Sequence, residues 1–335
     1  MNLTGKTLLI TGIGGFIGLR TAELAIARGI TVRGLQRTEA KAKAARACGA
    51  EVIVGDVADE QAALAACKGA DIVLHTAARV KEDGSLDDFR HVNVTGSLTM
   101  ARAAHRCGVK SFIHLSSVMV YGYSYPDLVT EDAPLRGENN PYCMTKIEAE
   151  KQLLKLNQPP QFGITILRPG DVYGPGSTSW VLQPLSLMKQ KLFMLANGGM
   201  GVMNHVYVDN LVEAIFLTIE AEYYGQVFNI TDGARTSWHD YFTRLASIAG
   251  YPTKLSSLPG GILKTIIRLR GFGQQLLGGK PDFFPASVDY MTRPHPYSIA
   301  KARKFLGYEP KVDLEQGMSI TAQWLEKERI AEKMS

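Results

Sequence analysis

The chain opens with an apolar, β-branched run over residues 6–11, a glycine turn GIGG, and apolar positions at helical spacing over 16–28 that end at Gly29. This pattern predicts a strand, a tight turn and a helix. It repeats at once, with strands over 30–36 and 51–55 on either side of an Ala/Lys-rich helix over 39–48. Further strands are predicted over 71–76, 111–116 and 163–168, with helices over about 86–107 and from 141 to about 156. Strands alternating with helices at this pace imply a doubly wound α/β fold, a parallel sheet covered on both faces.

After residue 168 the texture changes to the Pro/Gly-rich stretch LRPGDVYGPGSTSW and then to short elements without a clear period. A helix over 205–220 and a short strand over 226–230 read as returns to the sheet, and a final helix is expected over about 314–327. The pattern therefore predicts a nucleotide-binding domain over 1–168 with returns at about 203–232. A smaller α/β lobe takes 169–202 and 233–330. The length of 335 residues suits two such lobes, because a single hydrophobic core stops growing near ~250–300 residues.

Composition removes several function classes. With 45% hydrophobic and 21% charged residues the chain has enough apolar material for a core. The formal charge of +5 is scattered rather than gathered into a stripe, which speaks against nucleic-acid binding. Cys48, Cys67, Cys107 and Cys143 form neither a CxxC pair nor a zinc-type cluster with histidine, so no metal is expected. The opening MNLTGKTLLITG lacks the features of a signal peptide, and no apolar run reaches membrane-spanning length; a cytoplasmic protein is the expectation.

Glycines 12, 15 and 18 stand at GxxGxxG positions between the first strand and the first helix. Glycine there lets backbone approach a pyrophosphate, and the helix N-terminus offers N–H groups and a positive dipole end. The end of the second strand discriminates NAD from NADP through a carboxylate that accepts from the ribose 2′-OH. Here it reads Leu35, Gln36, Arg37, Thr38, with no acid and with a cation able to pair with a 2′-phosphate. NADP is favoured and NAD stays open. Asp56 in VGDV is placed for the adenine edge or, equally, for a helix N-cap.

A helix beginning at Pro141 carries Tyr142 and Lys146 four residues apart, on one face, where an ammonium beside a phenol would favour the ionised form. Such a tyrosine can exchange protons near neutral pH. Ser116 and Ser117 end the strand HLSS and emerge at the carboxyl edge of the sheet, where open α/β folds bind ligands.

With these pieces in place, the chain resembles the extended short-chain dehydrogenase/reductase family, a Rossmann-fold family, over nearly its whole length. The matching stretches are TGIGGFIG, GDVAD, LHTAA, HVNVTGS, HLSSVMVYG, YCMTK, LRPGDVYGPG and HVYVDNLVEA, in order. The resemblance implies that Tyr142 is the acid/base, that Lys146 binds the nicotinamide ribose and lowers the tyrosine pKa, and that Ser117 hydrogen-bonds the substrate oxygen, with Ser116 as fallback. It implies cofactor contacts from Gly12, Gly15, Phe16, Ile17, Asp56, Val57, Ala77 and Pro169, and a homodimer through the helices near 86–107 and 141–156. Asn93 reads as a backbone brace, His75 and His205 as structural histidines, and Cys143 as a residue without chemistry.

Members acting on nucleotide sugars resemble one another in an arginine four residues before the HV of the late motif; here that position is Gly201. FNITDGARTSW and PYSIAKARKFLGYEPKVDLEQGM look like the 3β-hydroxysteroid dehydrogenase branch. The expectation is an NAD(P)-dependent oxidoreductase interconverting hydroxyl and ketone on a lipophilic, steroid-like or long-chain substrate. The alternatives are a nucleotide-sugar epimerase or dehydratase holding NAD tightly, and a non-catalytic NADP sensor on the same fold. The apolar stretch 259–279, interspersed with Lys264, Arg268 and Arg270, has two readings: a lid over the active site, which is preferred, or a helix lying on a membrane.

Overall fold

The computed structural model describes residues 3–80, 84–276, 278 and 284–327. Six strands follow the predicted order: β1 Thr7–Thr11, β2 Thr31–Gln36, β3 Glu51–Val54, β4 Ile72–His75, β5 Ser111–Leu115 and β6 Gly163–Pro169. With the edge strand Val227–Ile230 they form a seven-stranded sheet in the order Val227–Ile230, β6, β5, β4, β1, β2, β3. Every pairing within it is parallel. β4, β5 and β6 are buried along their entire length, as strands covered by helices on both faces must be. The strand order reverses between β1 and β4, and a crevice opens at their carboxyl ends.

Thr11 closes the floor of that crevice. Its hydroxyl lies 2.9 Å from Nδ1 of His75 and accepts from the Ala77 N–H at 3.2 Å, while the Thr76 hydroxyl donates to the Thr11 carbonyl at 2.7 Å. The ends of β1 and β4 are thereby locked together.

Three elements differ from the periodic reading. Helix Glu60–Cys67 has no counterpart in it; Asp59 caps this helix by accepting from Gln61 and Ala62. Asp56 is not the cap: its carboxylate accepts from the Ala58 N–H at 2.9 Å in a local turn. The helix expected over 86–107 is Leu86–Arg90 and Ser97–Arg106 joined by a π-helical turn, His91–Gly96. His205 starts not a helix but the short strand His205–Tyr207, which pairs with Asp171–Tyr173; the helix begins at Val208 and runs to Ala221.

Beyond the sheet, two further small pairings join Val202–Met203 to Thr236–Ser237 and Leu195–Ala196 to Ser257–Leu258. They accompany helices Gln183–Lys189, Trp238–Ile248, Gly260–Leu276, Ala286–Met291, Ala300–Leu306 and Leu314–Lys327. One hydrophobic core runs from Leu8 and Ile10 of the sheet to Trp238, Tyr241 and Tyr290 of these segments. Of the predicted stretches, residues 1, 2 and 81–83 of 1–168, and residues 277, 279–283 and 328–330 of 233–330, lie outside the described residues.

Candidate active site

A cleft of about 500 Å³ opens over the carboxyl ends of β1, β4, β5 and β6. Every residue that the sequence nominated for cofactor or catalysis lines it: Gly12, Gly15, Phe16, Ile17, Arg37, Asp56, Val57, Ala77, Ser117, Tyr142, Lys146 and Pro169.

The glycine turn has the shape a pyrophosphate needs. Gly12 has a φ of +67° and sits so close to Ala77 that a Cβ would lie 3.0 Å from its Cα, while a Cβ on Gly18 would lie 2.6 Å from the Gly12 carbonyl. Gly15 caps helix Phe16–Ala27 without any side chain over its first N–H groups, which leaves that end open to an anion. Gln36 fixes the turn from the side, its carbonyl oxygen accepting from the Gly14 N–H at 3.0 Å. The residues therefore fit a dinucleotide cofactor. Gln36, absent from the sequence nominations, stands where an NAD-selective carboxylate would be expected, and Arg37 and Lys41 beside it both line the cleft.

Tyr142 and Lys146 project from helix Pro141–Leu154. Asn140 starts this helix by accepting from the Cys143 N–H at 3.1 Å, and Pro141 occupies a first-turn position where its missing N–H costs nothing. The Ser117 hydroxyl lies on the same cleft as the Tyr142 phenol and near enough to oppose the rise in its pKa. Ser117 also accepts from the Met119 N–H at 3.1 Å, which fixes its rotamer. The neighbouring Ser116 hydroxyl is buried without a hydrogen-bond partner among the described residues. Lys146 Nζ donates to the Leu115 carbonyl at 2.6 Å and lies 5.9 Å from the Tyr142 ring centroid.

The electrostatics depart from the sequence reading. Burial pushes the Tyr142 phenol above its ordinary range, with the Ser117 hydroxyl only partly opposing it. Burial also pulls Lys146 down to about 8 against the attraction of Glu150. The ammonium is turned to a backbone carbonyl rather than onto the phenolic oxygen, so in the chain by itself it does not depress the tyrosine.

Asn93 braces the backbone. It accepts from the Arg79 N–H at 2.8 Å and donates to the Arg79 carbonyl at 3.1 Å and the Thr145 hydroxyl at 3.0 Å. The loop after β4 is thus tied to the helix of Tyr142. His75 is buried between Thr11 and Ser97, and His205 between Asp232 and Thr236; both rings are fully engaged in structural bonds.

Residues that no motif announced form the far wall. Trp180 stacks on Tyr290 with ring centroids 6.0 Å apart, and both line the cleft with Met119. The Tyr290 hydroxyl donates to Asp171, and the fully buried Arg293 guanidinium lies 3.4 Å from the Tyr290 ring centroid. Arg293 donates to the Tyr290 carbonyl at 2.8 Å, the Tyr297 hydroxyl at 2.8 Å and Asp171 at 3.4 Å.

The sequence model of a family described as the NAD dependent epimerase/dehydratase family matches residues 8–231. The chain belongs to this family. As a member of the epimerase/dehydratase family, within the extended short-chain dehydrogenases/reductases, it is an NAD(P)-dependent enzyme. It is 27% identical over 321 residues to a 4-hydroxy-2-methyl-3-oxo-4-farnesyl-3,4-dihydroquinoline-1-oxide ketoreductase of Stigmatella aurantiaca, covering 94% of this chain and 95% of that protein. It is 29% identical over 326 residues to a 2-alkyl-3-oxoalkanoate reductase of Stenotrophomonas maltophilia, covering 93% and 97%. The fold is similar to that of a UDP-glucose 4-epimerase of Thermotoga maritima solved with UDP-glucose, at a TM-score of 0.79 and 24% identity, covering 96% of this chain and 99% of that one.

Proposed function

We propose that this member of the family reduces a ketone, or oxidises the corresponding hydroxyl, on a lipophilic substrate with NADP as cofactor. The observation that carries the reading is Gly201. A Cβ there would lie 2.1 Å from the Met291 carbonyl, so the position that resembles the sugar-nucleotide arginine has no room for any side chain. Among the described residues of the cleft, the cations are Arg37, Lys41, Arg79 and Lys146. None belongs to 169–180 or 290, where Trp180 and Tyr290 contribute aromatic surface instead. A diphosphate entering on that side would find no cation to pair with, whereas an apolar body gains from burial against the rings. The names of the two relatives above, a ketoreductase of a farnesylated ring and a reductase of an alkyl oxoalkanoate, support the same substrate class.

Bound in the cleft, a nicotinamide supplies or accepts the hydride. Tyr142, kept protonated by burial, gives its proton to the ketone oxygen, and Ser117 hydrogen-bonds the same oxygen and orients it. Arg37 and Lys41 favour the 2′-phosphate of NADP, and Gln36 offers no carboxylate to repel it.

The experiment is to denature freshly purified protein and identify the released nucleotide. A net oxidoreductase must exchange its cofactor at every turnover, so the expected result is a largely empty site that then binds NADPH more tightly than NADH. Near-stoichiometric NAD would overturn the reading in favour of the epimerase or dehydratase alternative.

A further inference from the structure

Helix Gly260–Leu276 contributes no described residue to the cleft, which corrects the lid expected from sequence. It packs by one side only: Leu263 and Ile267 meet Ala196, Val288 and Met291. On the opposite side Ile262, Ile266, Leu269, Phe272 and Leu276 stand open to solvent, between 46% and 71% exposed. At about 100° per residue these five fall in a single arc about 120° wide. Isolated exposed leucines are ordinary, but an apolar stripe along four turns, interrupted within its arc by Thr265 and Gly273, marks an interaction surface.

The charges around the stripe choose the partner. By the same helical spacing, Arg268 lies about 40° beyond one edge of the arc and Arg270 about 40° beyond the other. Residues 251–276 include Lys254, Lys264, Arg268 and Arg270 and no Asp or Glu. Residues 172–208, which pair with them through Leu195–Ala196, include Lys189 and Lys191 and again no acid. Asp289, from the helix beneath, holds Lys264. Arg268, on an aliphatic stem at one edge of the apolar stripe, can reach phosphate headgroups while the stripe enters the acyl boundary. Among the described residues no helix is long and apolar enough to cross a membrane, so the contact is a lying one.

We propose that the exposed face of helix Gly260–Leu276 docks the protein onto an anionic lipid surface. The proposal is independent of the cleft's substrate. The helix nevertheless packs on Ala286–Met291, which carries Tyr290 of the cleft wall.

The test is flotation of the full chain with vesicles of phosphatidylcholine alone and of phosphatidylcholine mixed with phosphatidylglycerol. The expected result is flotation with the anionic vesicles, weakened by salt, and a loss of partition of about ten- to a hundredfold in Leu269→Gln/Phe272→Gln. Both substituted positions are exposed, and NADPH binding by the variant reports that it is folded. A wild-type chain that stays unbound overturns the proposal, as does a double variant that floats like the wild type. So does a stripe that instead joins two copies, seen as a dimer in sedimentation that the double variant dissociates while vesicles leave the wild type unbound.

Discussion

Arg168 grips Glu150 with two hydrogen bonds, of 2.6 and 3.0 Å, inside the core. Glu150 lies one helical turn after Lys146, and Arg168 lies near the end of β6, so the pair fastens the helix of Tyr142 and Lys146 to the sheet edge. Arg168 also donates to the Tyr121 hydroxyl at 2.7 Å, which in turn donates to Asn229 at 2.7 Å. Removing one partner of such a pair leaves an uncompensated buried charge, which costs about 3–5 kcal/mol. Glu150→Ala is expected to lower stability by that amount in urea denaturation, and Glu150→Met with Arg168→Met to recover much of it.

In the proposed reaction, proton delivery rests on Tyr142. Tyr142→Phe is expected to lower kcat by about 10²–10⁴ while leaving NADPH binding, followed by fluorescence, unchanged. Because burial brings Lys146 down to about 8, its ammonium is present below that pH and lost above it. The kcat/KM for ketone reduction should therefore be level at lower pH and fall as pH rises through 8, and Lys146→Met should lack this limb. A limb that persists in Lys146→Met belongs to another group.

His75 sets an acid sensitivity. Burial lowers its pKa from 6.5 to about 3, so the unfolded chain takes up a proton first as pH falls. The stability tied to neutral His75 is complete above pH 6.5 and is lost progressively between 6.5 and 3. The buried His114 acts in the same direction. His75→Gln should reduce the slope of unfolding free energy against pH, measured between about pH 6.5 and 5, by up to about 1.4 kcal/mol per pH unit.

On the proposed NADP preference, cofactor choice rests on Arg37, just past β2, and Lys41, in the first turn of the helix Glu39–Ala47. Arg37→Ser with Lys41→Ser should raise KM for NADPH at least about tenfold, the loss of charge-assisted contacts from two exposed cations, and leave KM for NADH nearly unchanged. Equal effects on both cofactors would place the 2′-phosphate elsewhere.

Much of this architecture is legible in the sequence because strands buried on both faces read as apolar runs, and because glycine turns and helix caps are local. Helix Glu60–Cys67 escapes that reading, since EQAALAAC is largely alanine and shows little apolar period; Asp59 was its one local signal. The π-turn at His91–Gly96 escapes as well, because hydrophobic spacing does not register one additional residue in a turn. Tyr142 and Lys146 announce themselves by spacing on one helix. Trp180 and Tyr290 do not, because packing brings them together across 110 residues with no shared motif. The orientation of Lys146 toward the Leu115 carbonyl is likewise a tertiary fact, as is the burial that raises the phenol above its ordinary range.

The most direct test of the account is the stoichiometry of NADPH oxidation when the purified protein meets a long-chain 3-oxoalkanoate, with UDP-glucose assayed in parallel. The expected result is one NADPH consumed for each hydroxyl formed, lost in Tyr142→Phe, and no change in UDP-glucose. Conversion of UDP-glucose to its epimer without net consumption of NADPH, with lipophilic ketones left untouched, would contradict it.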